Sequence, residues 1–439
     1  MFREGNIVID GTVIEIVYDN NATVPHQYRW SVLRTRWDKT ESVNKYKKKY
    51  GNFNDIAIRI WKSMTENVTI EEISNLAVPE NYTTQKKILS SRLTSAVISS
   101  QKQQDVYYQK ISNLCKKMRN FNNFVKSIII YTYCVPKKVE KGGKITRQTI
   151  LDIGCGRGGD LAKMYHAKVG EYVGIDSDVA GLFSSSDGAI SRYNYFKNKF
   201  PNFPKTTFLH ADGKAIFDAD SQIQILNNTP EENKKELKKI FTKDRKFDII
   251  SGQFSIHFVM CGTETSMTNF EYNIKNSLKK DGYFIFTVFD GDSVNKLFDK
   301  SDKYTSYYTN DEGQRKVLYE IVKKYTDDQY KNNICNPIDV HMSWINEENK
   351  YVEEYLLSTD KLIKKIKSFG LELIDTDLFS NLYHLNKSFF TDVIQYEANE
   401  KNKKFYQSVG EFFGNLKGED KESRNLTFLY RYYIFRKTD

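Results

Sequence analysis

What this chain has little of narrows its chemistry first. Of 439 residues only five are cysteine, at positions 115, 134, 155, 261 and 335, and only six are histidine. The cysteines form no C-x-x-C pair and no Cys/His cluster at metal spacing, so neither a disulfide framework nor a zinc site is expected, and a reducing compartment fits. No uninterrupted apolar stretch approaches the roughly 18 residues a membrane span needs. The first residues, MFREGNIVIDG, carry an acid and glycines where a secretory signal requires an apolar core. No Gly-Lys-Ser/Thr follows the glycine-rich segment, which excludes a phosphate loop.

What is present is a globular composition, 39% hydrophobic and 28% charged, long enough for two or three domains. Lys and Arg number 66 against 56 Asp and Glu, a net charge of +10. Such an excess suits a polyanionic partner such as RNA. It is equally the mark of a lysine-rich solvated surface.

Residues 7–18, IVIDGTVIEIVY, predict two short strands around a D-G turn, and HQYRWSVLRTRWDKT (26–40) predicts a basic strand. Apolar spacing of three and four over 54–76 predicts helix, with Thr69, Glu71 and Glu72 starting a second one. The polar stretch 80–105 reads as a linker or a polar helix between domains. From 148 onward strands alternate with helices: TILDIG, EYVGIDSD, TTFLHADGK, KFDIISGQFSIHF, SLKKDGYFIFTVFDGD, GLELIDTDLF and FLYRYYIFRK are the strands. That order predicts a mostly parallel, doubly wound α/β sheet. The segments 220–246 and 299–335 read as a charged insertion and a polar excursion.

Residues 148–160, QTILDIGCGRGGD, place Gly154, Gly156, Gly158 and Gly159 after a buried strand. The G-x-G-x-G-G spacing differs from the dinucleotide pattern. Asp176 ends the second strand about twenty residues later, where an acid takes up ribose hydroxyls. Asp212 ends the third, within reach of an adenine amino group. Glycine turn, acid and acid at three successive strand ends describe a site for an adenosine without a pyrophosphate, namely S-adenosylmethionine.

RNFNNFVKS (119–127), ILDIGCGRGGDL (150–161) and QFSIHF (253–258) together resemble the mRNA cap guanine-N7 methyltransferases. FDIISGQFSIHF and VFDGDSVNKLFD (288–299) are closer still to the methyltransferase part of capping enzymes from poxviruses and other large cytoplasmic DNA viruses. The resemblance covers roughly 106–439 and implies a Rossmann-like class I fold. RWSVLRTRWDKT with NDIAIRIWKSM resembles the end of the OB-fold domain that closes an RNA guanylyltransferase, with Arg34, Arg36, Asp38 and Lys39 facing nucleotide phosphates. The expected domains are thus 1–79, an OB-fold-like end; 80–105, a linker; and 106–439, the methyltransferase. The letters K-x-D-G occur once, at Lys279, Asp281 and Gly282, in a turn before a strand, and read as accidental.

The resemblance implies Lys126 near the methionine carboxylate, Asp152 and Gly154 near its amine, Gly156 in the turn, Asp176 on the ribose, Asp212 at the adenine, and Gln253 lining the pocket. For the cap it implies Asn122, Arg157, Asp160, His257, Phe258, Glu354 and Tyr430. Gly213 stands where the family often has serine, Arg157 where it has lysine, and Phe258 where it has tyrosine. Glu353 rivals Glu354. Taken alone, His257 is equally a core histidine, Tyr430 a sheet-packing ring, Asp160 a helix-start acid and Lys126 a solvated lysine. The implied partners are the capped mRNA 5′ end, triphosphatase and guanylyltransferase domains on the same polypeptide, and a stimulatory subunit, acting in host cytoplasm, viral factory or virion. Guanine N7 bears a lone pair and no proton, so no general base and no metal are needed. The competing readings are another methyl acceptor, an idle RNA-binding subunit of a capping complex, and guanylyl transfer.

Overall fold

The computed structural model describes residues 9–19, 29–46, 69–86, 88, 112, 114–138, 145–184, 187–226, 229–310, 312–396 and 400–438. The chain divides into two compact units, Met1–Lys102 and Gln103–Asp439. In the first, β1 (Ile14–Tyr18) pairs antiparallel with β2 (Trp30–Thr35), followed by α1 (Trp37–Tyr46) and α2 (Ile70–Leu76). Thr69 and Glu72 form a reciprocal capping box at the start of α2, as its sequence predicts. The predicted helix over 54–68 and part of the first strand lie outside the described residues. Arg34 pairs with Glu15 and Arg36 with Asp38. Asp38 and Lys39 belong to α1 and not to the strand, because Asp38 opens that helix with an acid in its first turn. Among the described residues this unit holds two strands, and residues 80–86 of the stretch read as a linker or polar helix are helical.

The second unit opens with α3 (Lys116–Tyr133). Its buried Met118, Phe121, Val125, Ile129 and Ile130 recur every three or four residues and form one stripe against the core. A short pair, β3 (Lys137–Lys138) and β4 (Ile145–Thr146), leads into the alternation β5 (Thr149–Ile153), α4 (Leu161–His166), β6 (Glu171–Asp176), α5 (Val179–Phe183), α6 (Ala189–Lys199), β7 (Lys205–His210), α7 (Ala219–Ile225), α8 (Glu231–Ile240), β8 (Phe247–Gln253), α9 (Ile256–Met260), α10 (Ser266–Ser277) and β9 (Leu278–Phe289). Strands β14 (Leu371–Leu378) and β15 (Tyr430–Lys437) complete a seven-stranded sheet in the order β14-β15-β9-β8-β5-β6-β7. Strands β5 to β9 pair in parallel, whereas β15 runs antiparallel to both its neighbours. This is the Rossmann-like class I architecture.

Strand alternation splits the core into two layers. Ile150, Tyr172, Ile249, Ile285 and Ile434 face α3, while Leu151, Val173, Ile250, Phe284 and Phe435 face the opposite layer. Each fully buried side chain of this kind contributes about 1.5–3 kcal/mol.

Three sequence expectations change here. SIHF, read as the end of a strand, is the helix α9. The charged insertion 220–246 carries α7 and α8. The polar excursion 299–335 carries β10 (Lys303–Thr309) and β11 (Arg315–Lys323), which join β12 (Cys335–Met342) and β13 (Val352–Leu357) in a four-stranded antiparallel sheet. Its charged residues hid the strands because an antiparallel sheet can keep one face in water. A parallel bridge between Asp290 and Leu357 joins this sheet to the end of β9. No described helix is long and apolar enough to cross a membrane.

Candidate functional site

The carboxyl ends of β5, β6 and β7 carry the glycine turn and its acids. Gly154 sits at φ +73°, and a Cβ there would lie 2.4 Å from Ser255 Cβ, so only glycine fits. Ser255 Oγ in turn donates to the Ile153 carbonyl at 2.6 Å, fastening the start of α9 to the end of β5. Gly156, at φ +52°, would meet nothing with an added Cβ, so the space beside it is open. Its N–H donates to Asp176 Oδ2 at 2.7 Å, and Asp178 N–H donates to Asp176 Oδ1 at 2.8 Å. Burial raises the Asp176 carboxyl above its usual range against these two bonds. The turn and the second strand-end acid are therefore one unit.

Asp152 is buried within β5 and accepts a 2.6 Å bond from the Tyr172 hydroxyl. Burial, reinforced by the Asp160 charge, pushes it up to about 7, while Tyr172, Ser251 and Lys126 pull the other way. Asp212 is held by its backbone: its N–H donates to Gln222 Oε1 at 2.8 Å and Gln222 Nε2 donates to its carbonyl at 2.9 Å. At Gly213 a Cβ would fall 2.9 Å from Val259 Cγ2, so α9 packs where a serine side chain would stand. Gln253 is buried, donating to Ser251 Oγ and accepting from Thr287 Oγ1.

Around α3 the groups are ionic. Lys126 Nζ lies 2.9 Å from Asp160 Oδ1, and Lys163 Nζ lies 2.7 Å from the same atom. Burial works to raise Asp160, yet the two lysines hold it well below the usual carboxylate range. Asp160 sits at the N-terminus of α4 without a capping bond from its side chain. Its position answers to the lysines. Asn122 accepts from the Thr427 hydroxyl, tying α3 to the helix Gly418–Thr427 just before Tyr430. Arg157 pairs with Asp187.

The second set of predicted residues lies on α9, β13 and β15: His257, Phe258 and Glu354 come together, while Tyr430 meets the rings of Phe254, Phe289 and Phe379. Glu354 is 3% exposed, and its Oε2 lies 3.2 Å from His257 Nε2. The angles do not make this a hydrogen bond, and both ring nitrogens of His257 are buried without one. Glu353, one residue earlier on the strand, is exposed and takes the hydroxyl of Tyr355. Alternation along β13 thus turns only Glu354 towards His257. Phe258 is half-buried, its ring 4.1 Å from that of His257. Tyr430 stacks on Phe289 at 4.3 Å and meets Phe254 edge-on at 4.9 Å.

Four contributors were not singled out from the sequence: Tyr172, Lys163, Phe254 and a disulfide. Lys163 was readable as a basic residue three positions after Asp160 on a helix. Phe254 adopts φ +62°, a left-handed conformation costly for an aromatic residue, with its N–H donating to Thr287. Its ring lies 6.0 Å from Lys126 Nζ and meets that of Tyr430 edge-on. Cys261 and Cys335 form a disulfide, contrary to the expectation of reduced, unpaired cysteines. Their separation of 74 residues hid the pairing, which the fold creates by laying the end of α9 beside β12.

A family model for the mRNA (guanine-N(7))-methyltransferase domain matches residues 84–438. A probable mRNA-capping enzyme of Acanthamoeba polyphaga mimivirus is 38% identical over 99% of this chain and 37% of its own length. The mRNA cap guanine-N(7) methyltransferase of Saccharomyces cerevisiae is 24% identical over 73% of this chain and 64% of its own. The mRNA-capping enzyme catalytic subunit of Fowlpox virus is 24% identical over 72% and 32%. The chain thus spans less than two thirds of each of these relatives.

Proposed function

Because the chain belongs to the mRNA (guanine-N(7))-methyltransferase family, we propose that it methylates N7 of the terminal guanosine of the GpppN mRNA cap from S-adenosylmethionine. The observation that carries this reading is Phe254, a strained aromatic residue just before α9 whose ring lies 6.0 Å from Lys126 Nζ and edge-on to Tyr430. A methyl donor held at Lys126 and a base held at Tyr430 would both neighbour that ring.

The residues present fit the donor: the open face of Gly156 makes room for a nucleoside, and Asp176 is fixed to receive ribose hydroxyls. When bound, S-adenosylmethionine supplies a sulfonium methyl group open to direct attack by a lone pair. Lys126 holds a carboxylate, Asp152 an ammonium, Asp212 borders the adenine, and Gln253 lines the pocket through its backbone. On the cap side Glu354 accepts from guanine N1 and N2 donors, His257 and Phe258 bound the ring, Tyr430 adds an aromatic wall, and Arg157 with Asn122 borders the phosphate side, while Asp160 acts through Lys126 and Lys163. Catalysis is alignment in a dry site, which can lower the barrier by roughly 7–11 kcal/mol. Glu354 also favours the positive charge the base acquires.

The partners consistent with this role are the capped 5′ end of mRNA, triphosphatase and guanylyltransferase domains with the first unit as an OB-fold-like end, and a stimulatory subunit, in a cytoplasmic viral setting. Methyl transfer to GpppA- and GpppG-capped RNA, with uncapped RNA and Asp176→Ala as controls, tests the reading. Transfer to capped RNA alone, lost in Asp176→Ala, supports it; transfer to uncapped RNA alone rejects it.

A further inference from the structure

The carboxylate of Asp160 is shared by two ammonium groups, which is one more than charge neutrality needs. Lys126, Asp160 and Lys163 have side chains only 13%, 9% and 10% exposed. These three groups together carry a net charge of +1 where unpaired charge is costly, with the buried Asp152 carboxyl near enough to feel Asp160 and Lys126. The two lysines differ in what else they do. Lys163 also donates to Asn123 Oδ1 at 3.0 Å and to the Gly159 carbonyl at 3.4 Å. With Asp160 at 2.7 Å, its three donors are all engaged. It binds α3, the glycine turn and α4 together and has no donor left for a ligand. Lys126 contacts Asp160 and otherwise lies beside the ring of Phe254.

We infer that Lys163 is a positioning residue that neutralises Asp160, so that Lys126 keeps an uncompensated positive charge for the carboxylate of the cofactor's amino-acid moiety. Without Lys163, Lys126 and Asp160 would close as a neutral pair, and an incoming carboxylate would meet the Asp160 charge at short range in a medium that screens it weakly. With Lys163 in place, the carboxylate completes a cluster of two cations and two anions. This rests on the reading that the open space beside Gly156 takes S-adenosylmethionine with its carboxylate at Lys126.

Calorimetric binding of two ligands separates this role from simple structural support. S-adenosylhomocysteine carries the amino acid, whereas 5′-methylthioadenosine has the same nucleoside and thioether without it. Lys163→Met should weaken S-adenosylhomocysteine on the order of tenfold or more. It should leave 5′-methylthioadenosine within about twofold, because no shared partner is altered there. Lys163→Arg, which keeps the charge, should restore most of the loss. In turnover the KM for the methyl donor should rise while kcat holds. Where Lys163→Met fails to fold, the double variant Lys163→Met/Asp160→Asn buries no unpaired carboxylate and leaves Lys126 its charge. Its preference for S-adenosylhomocysteine over 5′-methylthioadenosine should match that of the unaltered protein. Equal weakening of both ligands in Lys163→Met, unchanged S-adenosylhomocysteine affinity, or loss of the preference in the double variant overturns the inference. Failure of the unaltered protein to bind S-adenosylhomocysteine instead overturns the cofactor reading beneath it.

Discussion

The two halves of the site are built in different ways. The half at β5, β6 and β7 takes Asp152, the glycine turn, Asp176 and Asp212 from some sixty consecutive residues, each at the end of a parallel strand. The half around His257 takes its members from α9, β13 and β15, with Glu354 and Tyr430 about one hundred and one hundred and seventy residues further along the chain. The first is a consequence of local βα geometry and survives as long as the strand ends survive. The second exists only when a separate antiparallel sheet is seated over the end of the main one, joined by the Asp290–Leu357 bridge and the Cys261–Cys335 disulfide. Variants in the two halves should therefore fail separately, one in binding the donor and the other in binding the acceptor.

The largest effect is expected at Asp176. Replacing it with alanine removes the acceptor proposed for the ribose and frees the Gly156 and Asp178 N–H groups. Donor affinity should fall by roughly 3 kcal/mol or more, the cost of two charge-assisted bonds and a loosened turn. Cap-analogue binding measured without donor should hold. Next comes Glu354→Gln, expected to raise the KM for capped RNA about a hundredfold with S-adenosylhomocysteine affinity unchanged. Glu353→Gln, on the opposite face of β13, should do neither. If Glu353→Gln proved the damaging change, the register assigned to the pocket would be wrong.

The same contrast explains what could be read from the sequence. TILDIG, EYVGIDSD and TTFLHADGK announce buried strands followed by turn chemistry, so the fold was legible there, and the residues proposed for the donor sit in the same few letters. SIHF misled because a short apolar run is ambiguous between strand and helix. Strands β10 and β11 were missed because Lys, Asp and Tyr on their wet face mask the alternation. Glu353 and Glu354 differ only in which side of β13 they leave from, and that follows from pairing with Asp339 and Ile338, not from composition. Family likeness narrowed the choice; residue patterns alone would have left His257 a core histidine.

Breaking the staple sharpens the comparison further. Cys261→Ser/Cys335→Ser, or reduction with dithiothreitol, opens a 74-residue loop. It should cost up to about 4 kcal/mol of stability by the chain-entropy estimate. In the folded fraction the cap KM should rise while donor affinity stays put, since the bridge ties α9 to β12 and not to β5. Equal losses on both sides would show that the halves are one cooperative unit.

The smallest effect is in pH. Asp152 is raised by burial to about 7, and its ionised form is the one that suits an ammonium. Affinity for S-adenosylhomocysteine should therefore fall as pH drops through about 7, by no more than about tenfold per pH unit. Stability of the ligand-free fold follows the opposite sign. A carboxyl raised in the folded state contributes fully below its unfolded value and loses that contribution as pH rises through about 7. Tyr172→Phe removes a bond that lowers Asp152, so the affinity midpoint should move to higher pH. Asp152→Asn should flatten the profile.

The most direct test follows the methyl group itself. Radiolabelled S-adenosylmethionine is incubated with RNA capped as GpppA and with RNA capped by 7-deazaguanosine, and the products are digested to nucleosides. The label should appear only as 7-methylguanosine from the first RNA, with none on the second even though it competes for binding. Label on the adenosine, or any transfer to the 7-deaza cap, would contradict the account.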